Sequence, residues 1–188
     1  FLVGLGAVLV VLVVFRLPET HPAERRTTFS ARGVGRNLAA VWQLPAGRRL
    51  ALTGMLHFGG NFLYISAAPL FVVNLLGRGE RDFWLLFVPL IGGMVAGSWV
   101  SGRLAGRLSG RRLASIGYLI SAVAGTVNLA LAAFPATQGL AWSVLVLPAL
   151  FFGIAVSFPI LTLAMLDLYP ALRAAAASVQ SFVSMIAN

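Results

Sequence analysis

Residues 83–113 read FWLLFVPLIGGMVAGSWVSGRLAGRLSGRRL. The stretch opens as an apolar run from Phe83, with Pro89 and a Gly93-Met94-Val95-Ala96-Gly97 step inside it. It ends in Arg103, Arg107, Arg111 and Arg112 with no acid among them, and a second apolar run starts at Leu113. A greasy segment, a short basic turn and another greasy segment form a membrane hairpin whose turn faces the cytoplasm.

The composition of the whole chain agrees. Of 188 residues, 59% are hydrophobic and only 10% charged, whereas a soluble domain is about half apolar and a quarter charged. The fold class expected is all-α, a polytopic membrane helical bundle. The net charge is +9, and all fourteen basic residues are arginine. That balance often marks nucleic-acid binding, but here the arginines sit in short turns between apolar runs, so no nucleic-acid partner is expected. The chain has no cysteine, which removes disulfides and thiolate metal sites. It has no lysine for a phosphate loop and no HExxH motif, and its two histidines, His21 and His57, are far apart. No enzyme chemistry, cofactor or metal site is expected.

Outward from the hairpin, the chain divides as follows. Residues 1–15 are the end of a transmembrane helix, rising roughly 22 Å against a hydrocarbon core of about 30 Å. Residues 16–49 are a cytoplasmic linker in which Val34, Leu38, Val41 and Trp42 recur at helical spacing, suited to an amphipathic helix on an anionic surface. Residues 50–188 are a transmembrane bundle with spans at 50–76, 83–102, 113–134 and 140–166, and an incomplete one at 174–188. Both ends open inside apolar runs, so the chain reads as an internal fragment. Twelve of the fourteen arginines fall in turns on one side of this arrangement, which makes that side cytoplasmic.

The spans carry few polar groups. Thr53, His57, Asn61 and Tyr64 share one helical face. Pro148, Gly153 and Pro159 break the span at 140–166, which also holds Ser157 and Thr162. Interrupted helices line substrate sites in secondary transporters, so His57, Asn61, Tyr64, Ser157 and Thr162 are candidates for lining a small-molecule site. His57 is also the one mid-span group that titrates near neutrality; the other reading of it is a packing histidine. The five acids, Glu19, Glu24, Glu80, Asp82 and Asp167, all lie at or outside span ends. Pro69 is expected to bend its helix, and Pro159 and Gly153 to kink theirs. Gly93-Gly97-Ser101 and Gly117-Ser121-Gly125 are small-residue faces. Their place on neighbouring spans predicts that those two helices approach each other closely.

The turn from Gly102 through Arg103, Arg107 and Gly110 to Arg111 and Arg112 resembles the loop signature of the major facilitator superfamily, G-x-L-A-D-R-x-G-R-R. Here Gly106 stands where the signature has its acid, and Gly110 lies one residue late. Leu17-Pro18-Glu19-Thr20, Tyr64-Ile65-Ser66-Ala67-Ala68-Pro69-Leu70-Phe71 and Ala164-Met165-Leu166-Asp167-Leu168-Tyr169-Pro170 resemble segments of the Bcr/CflA-type drug:proton antiporters within that superfamily. So do Arg173 and Ala177 to Phe182 after them. The resemblance implies a C-terminal-half fragment, from the end of helix six to the start of helix eleven of a twelve-helix carrier. It implies proton-coupled efflux of drugs or other small molecules by alternating access across a bacterial inner membrane. The partners implied are a small-molecule substrate, protons, the lipid bilayer and the N-terminal half of the same chain, where the family's proton-carrying acids lie. Two alternatives are a carrier of one metabolite, such as a sugar or organic acid, and a non-transporting scaffold or sensor.

Overall fold

The computed structural model describes residues 2–17, 30–134 and 140–186, and every regular element in it is helical. The chain forms two units, residues 1–34 and 35–188. The first holds α1, Leu2–Arg16, a helix of 15 residues that is apolar up to its last position. The expected exit at Pro18 to Thr20, with His21, Glu24, Arg25 and Arg26, lies outside the described residues, as does the expected turn at 135–139.

The second unit is the bundle. Its first helix is the larger part of α2 (Ala31–Gln43), whose opening turn belongs to the first unit, where Ser30 Oγ accepts the N–H of Gly33 at 3.3 Å. Leu38 and Val41 turn into the protein, while Val34 and Trp42 stay exposed. Then α3 runs Pro45–Pro69. It begins ahead of the expected start at residue 50, because Leu44 is extended and the fixed φ of Pro45 suits a first helical position. Pro69 was expected to bend the helix. Pro69 has no N–H to donate, and after it Leu70–Leu75 winds on as a π-helix, with the N–H of Leu76 reaching Phe71 O at 3.1 Å. Gly77, at φ +60, ends that winding.

A short 3₁₀ turn, Glu80–Phe83, leads into α4 (Trp84–Leu104). After the basic turn come α5 (Gly110–Ala133), α6 (Leu140–Leu168) and α7 (Arg173–Ile186). Among the described residues, four helical stretches are long and apolar enough to cross a membrane: Pro45–Asn74, Arg81–Leu104, Gly110–Ala133 and Val144–Leu168. The span expected to be broken is corrected here, since α6 runs unbroken through Pro148, Gly153 and Pro159 over 29 residues. A full break would strand backbone groups where no water can meet them.

α6 is the hub on which α3, α4, α5 and α7 all pack. The small faces of α4 and α5 were expected to meet; they close on different sides of α6 instead. A Cβ at Gly93 would overlap the backbone of Pro148, and one at Gly97 would overlap that of Phe152. On the other side, Gly117 faces Gly153 and Ser157, and Gly153 faces Gly117 and Ser121. Serines on the same faces donate to α6 carbonyls: Ser101 Oγ to Val156 O and Ser121 Oγ to Leu150 O, both at 3.1 Å. Without water to drive apolar side chains together, close packing and such hydrogen bonds hold membrane helices.

The outer surface fits that setting. On α4 the buried stripe is Leu86, Leu90, Gly93, Gly97 and Ser101, while Val88, Ile91, Val95 and Trp99 face outward. Small residues inside and large apolar ones outside invert the soluble pattern. The exposed tryptophans fall at the two ends. Trp84 and Trp142 lie at the starts of α4 and α6, and Trp42 and Trp99 at the Arg-rich end, as aromatic belts do.

Candidate functional site

Three helices contribute one polar seam. α3 presents His57, Asn61 and Tyr64 along one face; α5 presents Tyr118, Ser121 and Asn128; α6 presents Ser157. Both α3 and α5 rest on α6, and long polar side chains span the space between them.

His57 Nε2 lies 3.2 Å from Ile154 O and 3.2 Å from Ser157 Oγ. Ser157, fully buried, donates to Gly153 O at 2.8 Å. The arrangement that satisfies every group puts the proton on Nε2, shared between the Ile154 carbonyl and the serine oxygen; this tautomer is assigned from the network. The edge of the His57 ring meets Tyr118 at 5.3 Å between centroids. Further along, Asn128 Nδ2 donates to Tyr64 Oη at 2.6 Å, and the Tyr64 ring lies edge-on to Phe151 at 5.8 Å. Two polar atoms in the seam, Asn61 Oδ1 and Tyr118 Oη, are buried and have no hydrogen-bond partner among the described residues.

Four of the five residues singled out for a small-molecule site thus meet here. Thr162 lies apart. Its hydroxyl donates to Phe158 O and accepts from Gln180 Nε2, both at 3.2 Å, so it joins α6 to α7. Gln180 and Ser184 of α7, both buried, pack beside Gly54 of α3. The sequence reading missed Tyr118, Asn128, Gln180 and Ser184. A signal for the first two was present, since Tyr118, Ser121, Gly125 and Asn128 fall on one helical face.

At the Arg-rich end, Gly106 has φ +81. The position where the loop signature carries an acid is a left-handed turn here, and glycine adopts that backbone without strain. Ser109 caps α5 by accepting the N–H of Arg112 at 3.4 Å. The Arg103 guanidinium stacks 4.1 Å over the Trp99 ring. Nearby, the Tyr169 hydroxyl donates to Val41 O at 2.7 Å, and burial pushes this phenol above its usual range, so it remains a donor. Among the described residues, no cluster of three or more His, Cys, Asp or Glu side chains is placed to hold a metal.

The seam is thus a row of neutral hydrogen-bonding groups between apolar spans. Known proteins with similar sequences place the chain in a family. The family described as Major Facilitator Superfamily matches residues 1–188. An uncharacterised MFS-type transporter of Bacillus subtilis, YdgK, is 31% identical over 129 residues, which is 66% of this chain and 31% of the relative. A bicyclomycin resistance protein homolog of Haemophilus influenzae is 26% identical over 148 residues, 76% of this chain and 37% of the relative. The chain therefore spans about a third of the length of these relatives. No solved structure matches. The fold is an all-α membrane bundle, its helices cross the bilayer several times, and the chain belongs to the Major Facilitator Superfamily.

Proposed function

We propose that this chain forms part of a secondary transporter in a bacterial inner membrane, exporting small molecules in exchange for protons by alternating access. The Arg-rich end faces the cytoplasm in this reading. The chain supplies one helical half, and the remaining length of the carrier supplies the other.

The observation that carries the reading is the pair of unpartnered polar atoms, Asn61 Oδ1 and Tyr118 Oη. Each buried polar atom left unpaired costs about 1–3 kcal/mol. A seam that retains two of them is built for a partner that comes and goes, a substrate group or water. His57, Tyr64 and Ser157 define its walls, and Phe151 gives it an aromatic side. The drug-resistance name of one relative supports export, and the family supports transport.

The test is efflux from cells producing the full-length protein, with and without a proton uncoupler. The reading expects uncoupler-sensitive export of several unrelated small molecules, and reduced export in Asn61→Leu with the protein still in the membrane. Uncoupler-insensitive movement of one metabolite would replace it with a dedicated facilitator.

A further inference from the structure

A second feature lies away from the seam, at the Arg-rich end. There the α4–α5 turn overhangs the last turns of α6 and leaves a groove of about 500 Å³. Its walls are apolar: Gly102 and Ala105 on one side, Pro159 and Leu163 on the other. Leu163 is 58% exposed, so the groove opens sideways onto the surface that faces hydrocarbon. Arg111 is one of its lining residues, with Asp167. We propose that this groove seats one anionic phospholipid, with its phosphate on Arg111 and an acyl chain along Leu163 and Pro159.

Charge identifies the occupant. Arg111 has no carboxylate partner among the described residues, and the one acid lining the groove, Asp167, is paired with Arg173 at 4.0 Å. Arg107 and Arg112 lie beside Arg111 in sequence and add to the same positive field. Arg111 and Arg112 also sit in the first turn of α5, where the helix dipole disfavours cations. Their presence there, with no acid in that turn, calls for an anion outside the protein. Depth points to a lipid over a soluble anion. The Trp99 ring under Arg103 is exposed and marks the interfacial level, so a headgroup reaches Arg111 while its chain lies on the apolar wall below. Space completes the argument. Gly106 is set by its left-handed φ, but a Cβ at Gly102 would meet nothing within 4 Å, so a larger side chain there has room to enter the groove.

The test is native mass spectrometry of the full-length protein, titrated with phosphatidylglycerol or phosphatidylcholine. Wild type is expected to retain phosphatidylglycerol in preference. Arg111→Gln should lower that preference about fivefold, as for one interfacial arginine. Gly102→Leu fills the groove while leaving every arginine in place, and it should lower the preference as much. Ala105→Leu serves the same purpose if Gly102→Leu melts early. Full preference in the filled variants would show that the arginines act only as a diffuse charge and would overturn the seat. Equal retention of the two lipids by wild type would overturn it as well.

Discussion

Tyr169 lies against Gly47 with no room for a Cβ between them, and its hydroxyl takes the Val41 carbonyl, one of the last four of α2. One side chain thus fixes the α2–α3 corner to the end of α6. Tyr169→Phe should cost about 1–2 kcal/mol by leaving that carbonyl unpaired, and Gly47→Ala about 1–3 kcal/mol by overpacking; thermal melting of the purified protein measures both. His57 is a tie of the same kind, joining α3 to the α6 backbone. His57→Gln keeps a donor at that depth and is expected to preserve melting, and exchange that keeps its pH dependence in the variant would show that the imidazole carries no proton. Loss of exchange at unchanged melting would make the imidazole a proton carrier. At this scale the sequence was half legible. His57, Asn61 and Tyr64 declare themselves as polar residues on one face of an apolar run. Tyr118 and Asn128 also share one face of their run, but that this face meets the His57 face across α6 depends on how the helices are rotated, which spacing along one helix does not contain.

The helices that pack on α6 do so by two different means. α4 and α5 approach it backbone to backbone through Gly93, Gly97, Gly117 and Gly153, whereas α3 reaches it beside the seam through His57 and the Tyr64 ring. A methyl group at Gly153 has nowhere to go, because the atoms it meets on α5 include backbone. Gly153→Ala should therefore lower stability by about 1–3 kcal/mol, while Gly102→Ala, which meets nothing, should leave melting unchanged. Equal melting of the two variants would refute close approach as the reason for Gly153. The spans were legible because an apolar run and a basic turn need no partner to be recognised. Which helix receives each small face was not, since a glycine stripe records how close a neighbour comes and not its identity. The π-helix after Pro69 was missed for a related reason: proline announces a lost hydrogen bond, but the surroundings decide how the chain winds on after it.

At the scale of the whole bundle, the placement of the seam and of the basic turn can be checked from opposite sides of the membrane. In the full-length protein, a cysteine at Asn61 should react with a water-soluble thiol reagent in at least one state of the cycle. Protection in all states would remove it from the transport path. A cysteine at Ser109 should stay unlabelled by an impermeant reagent added to intact cells; labelling would invert the topology. The fold class was legible from hydropathy alone, because four long apolar helices admit few soluble solutions. The occupant of the seam was not, since neutral hydrogen-bonding groups accept many guests.

The tryptophans at the two ends of α4 have a physical consequence of their own. Trp84 and Trp99 are separated along one helix by a rise of about 22 Å, and tilt shortens that span further, against an average hydrocarbon thickness of about 30 Å. With both rings at the headgroup level, α4 would favour a bilayer thinner than that average, and a thicker one would compress around this helix. Melting in nanodiscs of increasing acyl length should peak with short chains and fall as the lipids lengthen, which would make membrane thickness a variable that sorts and stabilises this protein.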